Sequence, residues 1–116
     1  MALPATSPEI WRELKLRISE EALVSAVYHQ LKTDIERAGA IVPFDEGLAP
    51  DSWKHAIAAW LPSLSAGALH SYLYLLDLPE KLLNMLKVSD HFFEELADAI
   101  IYRELVKVYY RMNYSG

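Results

Sequence analysis

The sequence's densest group of side chains that could do chemistry is His91, Glu94, Glu95 and Asp98. Spacings of three, four and seven residues place these groups on one face of a helix, and imidazole with carboxylates can hold zinc, manganese or iron. The Glu-x-x-His motif of di-iron bundles and the His-Glu-x-x-His motif of metalloproteases are both absent from the chain. Acids in the first turn of a helix also favour its dipole. We therefore predict a solvated helix start and no metal ion.

His70 is a second candidate, because it lies in an apolar stretch beside Tyr72 and Tyr74. A buried histidine could ligate haem or transfer a proton, but it is more often a hydrogen-bonded core residue, and we predict the latter. The chain has no cysteine, no Gly-x-Ser-x-Gly motif and no glycine-rich phosphate loop. We predict a protein that is not an enzyme and has no cofactor.

A third candidate is the basic stripe of Arg103, Lys107 and Arg111, which step by four residues and have Tyr109, Tyr110 and Tyr114 around them. Arginine with tyrosine can bind phosphate or stack on a nucleic-acid base. However, the chain carries a net charge of −5, whereas nucleic-acid-binding domains usually have a basic face. Nucleic acid is therefore disfavoured. The alternatives are an acidic protein partner and a solvated face beside Glu104.

The last long stretch, residues 89–112, carries two of these candidates. It contains neither glycine nor proline, and its apolar residues recur every three or four positions, as along one face of a helix. The residues of this stripe are Phe93, Ala97, Ile101, Leu105, Val108 and Met112. So long an apolar helix needs other helices to cover it. We predict that helices at 66–77 and 90–112 form the centre of the fold.

Helix start and stop signals divide the rest of the chain. Ser7-Pro8-Glu9 is typical of a helix start with Ser7 as the cap, and Gly39 of a helix end. Whether one helix continues through Ser19 or a second begins there stays open. The longest loop, 40–51, is expected to cross the helices irregularly. The other predicted helices are at 52–61, 66–77, 81–88 and 90–112, and residues 1–6 form a short arm.

Length and composition agree with this division. A chain of 116 residues with 53% hydrophobic residues fits one domain with its own core. The sequence thus predicts an all-α, compact, bundle-like single domain of five to six helices over residues 1–116, with the three tryptophans in its core. Residues 55–76 carry no Asp, Glu, Lys or Arg, but Pro62 and Gly67 favour a buried segment over a membrane span. The first residues lack the pattern of a secretory signal, so we expect a cytoplasmic protein.

Two short motifs resemble a group of small uncharacterised bacterial all-helical proteins. In that group a helix ends in Leu-Tyr-Arg-Ile-Asp followed closely by Glu, and a C-terminal helix contains Leu-Ala-Asp-x-Ile-Ile-x-Arg and a Lys. The matching segments are 73–83, LYLLDLPEKLL, and 96–107, LADAIIYRELVK. Leu75 stands in place of the first arginine, and Tyr102 in place of a common acid. The resemblance covers about the C-terminal third of the chain. It implies that the two helices pack together, and it implies no activity.

Tyrosine and arginine are enriched at protein interfaces, so the last helix is also a candidate contact surface. We predict a non-enzymatic interaction or assembly module that self-associates through this helix, as a homodimer, or binds a protein partner. The predicted contact residues are Arg103, Leu105, Lys107, Val108, Tyr109, Arg111 and Met112. The N-terminal helices could instead cover this stripe. The alternative function is a small-molecule-binding protein with an aromatic-lined pocket between helices.

Overall fold

The computed structural model describes residues 6–78 and 80–114, and every regular element in this part of the chain is helical. The prediction of an all-α, compact domain is confirmed. The predicted arm lies outside the described residues except for residue 6. The helices are α1 (Ser7–Lys15), α2 (Glu20–Arg37), α3 (Trp53–Trp60), α4 (Ala66–Leu76), α5 (Glu80–Leu86) and α6 (Phe92–Tyr114). Short 3-10 turns, Pro50–Ser52 and Leu61–Ser63, precede and follow α3.

Capping side chains explain where the first two helices begin. α1 and α2 are separate, and the Ser19 hydroxyl accepts the Ala22 backbone N–H at 3.1 Å at the start of α2. The cap of α1 is Thr6, one residue earlier than predicted, because its hydroxyl accepts the Glu9 N–H at 3.3 Å. Ser7 is therefore the first residue of the helix.

The chain leaves two helices through residues in the left-handed region. Gly39 follows α2 with φ of 86°, a conformation that glycine adopts without strain. Asp77 ends α4 with φ of 55°, which aspartate tolerates better than most side chains. The predicted cap at the other end of α4 is confirmed, since Ser65 accepts the Ala68 N–H at 3.1 Å. The outgoing turn of α4 is therefore fixed by Asp77 itself, before the predicted break at 78–80.

α6 is the central helix, and it packs against each of α1 to α5. The middle of α6 is buried on nearly every side. Its buried residues are Leu96, Ala97, Ile100, Glu104, Leu105, Val106, Val108 and Tyr109. The prediction that α4 shares this position needs correction. α4 packs on α2 and α6 through the side that carries Tyr72 and Leu76, whereas its opposite side is exposed.

The loop between α2 and α3 crosses the helices without regular structure, as expected. The Phe44 ring stacks on Trp53 with ring centroids 5.6 Å apart, and the Tyr28 hydroxyl donates to the Phe44 carbonyl oxygen at 3.0 Å. The Trp53 indole N–H donates to the Leu48 carbonyl oxygen at 3.0 Å. Of the three tryptophans predicted in the core, only Trp53 is fully buried, while Trp11 and Trp60 are half-buried.

Among the described residues, no helix is both long and apolar enough to cross a membrane. The uncharged run at 55–76 is divided between α3 and α4 by the 3-10 turn at Leu61–Ser63. Each of these two helices is too short to span a bilayer.

The burial of Val108 predicts how the chain responds to a charge in its core. Val108→Asp should lower the free energy of unfolding by about 4 kcal/mol or more, because the new carboxylate would be buried without a partner. Ile41→Asp is the control, since Ile41 is 81% exposed and should change stability by less than about 0.5 kcal/mol. Urea denaturation followed by circular dichroism measures both. A Val108→Asp protein as stable as the control would contradict the position of α6.

Candidate functional site

The least expected feature of the interior is a pair of buried acids where α2, α4 and α6 meet. Asp34 on α2 and Glu104 on α6 are each 1% exposed. Ionised carboxylates are costly to bury unless they are paired and hydrogen-bonded. Their neighbours are Tyr72 on α4 and Lys107 on α6. We call these four side chains the polar cluster.

Asp34 is the charged acid of the cluster. Its carboxylate accepts the Lys107 ammonium at 2.8 Å and the Gln30 amide N–H at 3.3 Å. Burial acts to raise the pKa of Asp34, but hydrogen bonds from Glu104, Lys107 and Gln30 outweigh burial, and the pKa is lowered from its ordinary value. Asp34 therefore stays ionised at neutral pH.

Glu104 is the neutral acid. Burial, and then the adjacent Asp34, raise its pKa to about 10, so its carboxyl group keeps a proton at neutral pH and donates it to Asp34. The Tyr72 hydroxyl lies 3.5 Å from Glu104 Oε2, whereas Oε1 has no hydrogen-bond partner among the described residues. Burial and the nearby Glu104 also raise the pKa of Tyr72 well above its usual value. Three groups that could exchange protons thus lie together.

The basic stripe of α6 points at the C-terminal end of α4. Lys107 Nζ donates to the Leu75 carbonyl oxygen at 3.0 Å, and Arg103 Nε donates to that of Leu76 at 2.7 Å. The last carbonyls of a helix lack intrahelical donors and attract cations. Arg111 donates to the Gln30 side chain at 2.7 Å. Arg103 and Lys107 are thus engaged within the chain, whereas Arg111 is exposed beside its contact with Gln30. A role of the three cations in binding a partner stays a prediction.

The two acids and the tyrosine of the polar cluster have no access from solvent. Perturbed acids beside a lysine are typical of catalytic sites. Tyr72, Asp34 and Glu104 are each only 1% exposed, so no substrate can reach them in this conformation. The cluster can hold one proton between two carboxyl groups and can lock three helices together. We therefore assign it a structural role.

The apolar part of the predicted contact surface is covered within the chain. Leu105, Val108 and Tyr109 are buried, and Met112 packs against the core half-buried, because α1 and α2 lie over this side of α6. The Tyr109 hydroxyl donates to Glu13 of α1 at 3.4 Å. These side chains do not form an exposed stripe that a second chain could contact.

The structure also shows the surroundings of the candidate metal group around His91 and of His70. Of the candidate group His91, Glu94, Glu95 and Asp98, Asp98 pairs with Lys54 at 2.9 Å and Glu95 accepts the Ser89 hydroxyl at 2.9 Å. No cluster of histidine and carboxylate side chains in the described residues could hold a metal ion. His70 is exposed on α4, so the prediction of a core histidine is corrected.

An exposed apolar groove runs between α4 and α5, and we call it the α4–α5 surface. The groove has a volume of about 430 Å³ and is lined by His70, Leu73, Tyr74, Leu78, Glu80, Leu83, Asn84 and Lys87. Tyr74 is 80% exposed, although it is a large aromatic residue. Met85 of α5 and Val88, two residues after the end of that helix, are exposed as well. The sequence signal for this surface was the uncharged run at 55–76, which composition alone assigned to the interior.

Comparison with known proteins assigns no family to the chain. No protein-family model matches it, and no curated protein or solved structure is significantly similar to it.

The proton on Glu104 predicts a pH dependence of stability. Between its ordinary pKa of 4.5 and its folded-state pKa of about 10, the folded chain binds a proton that the unfolded chain has lost, so stability falls as pH rises. Glu104→Gln keeps a donor for Asp34 but cannot ionise. Relative to the original chain, the variant should gain stability from pH 6 to 9, by up to about 1.4 kcal/mol per pH unit.

Urea denaturation at each pH measures this difference. Asp34 does not interfere, because its lowered pKa affects stability only in the acid range, below its ordinary value of 3.8. Glu36→Gln, at an exposed position of α2, is the matched control and should keep the original pH profile. A Glu104→Gln profile parallel to that of the original chain would show that Glu104 is ionised in the fold.

The ion pair between Lys107 and Asp34 predicts strong coupling between the two positions. Lys107→Met leaves a buried carboxylate without its cation and should cost about 3–5 kcal/mol of stability. Adding Asp34→Asn should recover part of this loss, because the unpaired charge is removed. Lys54→Met is the control, since its ion pair with Asp98 has a similar length but is exposed, and its effect should be far smaller. Additive losses at the two positions would rule out the pair.

Proposed function

We propose that the protein is a non-enzymatic interaction module that self-associates through the α4–α5 surface. The observation that carries the proposal is Tyr74, which projects from α4 into solvent within a run of 22 residues, 55–76, that carries no Asp, Glu, Lys or Arg. Charged residues are depleted and tyrosines enriched at the centres of protein interfaces. An exposed helix face without charges is unusual for a chain that has no partner.

The charges at the rim of the α4–α5 surface favour a second copy of the chain as the partner. Glu80 and Lys87 line the two ends of the groove, and neither has an ion-pair partner in the described part of the chain. They are seven residues apart, or about 10 Å along a helix. If two copies meet about a two-fold axis with α5 antiparallel, Glu80 of each faces Lys87 of the other. Such self-complementarity is what a symmetric dimer requires.

This proposal keeps the predicted self-association and moves its location. The apolar side of α6 packs against α1 and α2, and its cations contact α2 and α4. The α4–α5 surface, by contrast, presents Leu73, Tyr74 and Leu83 beside a groove. Hydrophobic area removed from water supplies the driving force for association, and the two charge pairs supply orientation.

The role of Tyr74 can be tested by the mass of the protein in solution. We expect a dimer that dissociates on dilution, measured by light scattering after size exclusion over a concentration series. Tyr74→Glu should raise the dissociation constant of the dimer by a factor of ten or more and leave the circular dichroism spectrum unchanged. Ile41→Glu is the matched control, because Ile41 is 81% exposed but lies on the loop before α3. A protein that is monomeric at every concentration would refute the proposal.

The antiparallel arrangement makes a separate prediction about charge. Glu80→Lys and Lys87→Glu should each weaken the dimer, because each brings two like charges together across the axis. The double variant restores opposite charges with their positions exchanged, so its dissociation constant should return towards the original value. Single variants that dimerise normally would place the axis elsewhere, even if Tyr74 is required.

A further inference from the structure

A second surface cleft lies between α1, the 3-10 turn at Pro50–Ser52, and α6. It has a volume of about 450 Å³, within the range of roughly 300–1,000 Å³ that is typical of small-molecule sites. Its apolar lining includes Trp11, Trp53, Ile101 and Leu105. Trp53 and Leu105 are buried beneath the cleft, so the apolar surface that a ligand could contact comes mainly from the half-buried Trp11 and Ile101.

The rim of this cleft carries charges of both signs. Arg12 and Lys15 come from α1, whereas Glu20 comes from the start of α2 and Asp51 from the 3-10 turn. All four are exposed, and none of them belongs to an ion pair in the part of the chain that the structure describes. Two cations and two carboxylates thus line one cleft without neutralising one another.

We propose that this cleft binds a small zwitterion with an apolar body, of the size of an apolar dipeptide. The carboxylate of the ligand would pair with Arg12, whose guanidinium can donate two parallel hydrogen bonds, and with Lys15. The ammonium group would pair with Asp51 and Glu20. The apolar side chains of the ligand would cover Trp11 and Ile101. An extended dipeptide separates its charged ends by about 7 Å. The cations of the cleft lie on α1, whereas its two carboxylates lie on the 3-10 turn and on α2.

The mixed signs of the rim favour this class over simpler ligands. A purely anionic ligand would meet the repulsion of Glu20 and Asp51, and a purely cationic one that of Arg12 and Lys15. A neutral apolar ligand would displace water from all four charges and offer them no partner. The proposal is independent of self-association, because the cleft and the α4–α5 surface share no lining residue.

Calorimetry with the dipeptide Leu-Leu tests the site, with two blocked analogues as ligand controls. We expect saturable binding of Leu-Leu, and affinities at least tenfold weaker for N-acetyl-Leu-Leu, which lacks the ammonium group, and for Leu-Leu amide, which lacks the carboxylate. Arg12→Gln should weaken the binding of Leu-Leu by a factor of five or more. The same variant should discriminate less between Leu-Leu and its amide, because it has lost the group that reads the carboxylate.

Asp51→Asn should show the complementary pattern, with less discrimination against the acetylated dipeptide. Arg37→Gln removes an exposed cation outside the cleft and should bind Leu-Leu as the original chain does. The proposal is overturned if Leu-Leu shows no saturable binding at millimolar concentration. It is equally overturned if both blocked analogues bind as well as Leu-Leu, or if Arg37→Gln weakens binding as much as Arg12→Gln.

Discussion

The ammonium group of Lys107 is the contact on which the arrangement of the helices depends. It lies 2.8 Å from the Asp34 carboxylate of α2 and 3.0 Å from the Leu75 carbonyl oxygen at the end of α4. One cation of α6 therefore compensates a buried charge on one neighbour and an open backbone acceptor on another. Apolar packing alone would tolerate small shifts of these helices, but a buried carboxylate without its cation is too costly to allow them.

The proton on Glu104 completes this arrangement, because it keeps the interior electrically neutral. With Asp34 ionised, Lys107 charged and Glu104 protonated, the polar cluster has no net charge. Glu104 is also the hydrogen-bond donor that allows two carboxyl groups to lie together. The resulting site resembles an acid–base centre in composition, yet its acids are inaccessible. Composition and a perturbed pKa alone would have assigned it to catalysis, whereas burial assigns it to the fold.

The sequence predicted the helices better than it predicted their surroundings. Caps such as Ser19 and Ser65 act within one turn, so their neighbours along the chain suffice to identify them. The environment of Glu104 depends on Asp34, 70 positions away, and no local pattern distinguishes it from the exposed acids of α6. The outer side of α4 was misassigned for a related reason. Tyr74 and Tyr72 are equally apolar in sequence, and only tertiary packing decides that one is 80% exposed and the other buried.

α6 also explains why the two proposed surfaces are separate. Ile101 and Leu105 line the cleft between α1, the 3-10 turn at Pro50–Ser52, and α6. Two residues after each of them come Arg103 and Lys107, which donate to the end of α4. At about 100° per residue, two positions place these pairs on nearly opposite sides of the helix. The cations that hold the end of α4 therefore also hold the side of this helix that carries Tyr74, and this preorganisation would lower the entropy cost of the proposed self-association. The cleft on the other side of α6 is bordered by a separate set of charges, from α1, α2 and the 3-10 turn at Pro50–Ser52.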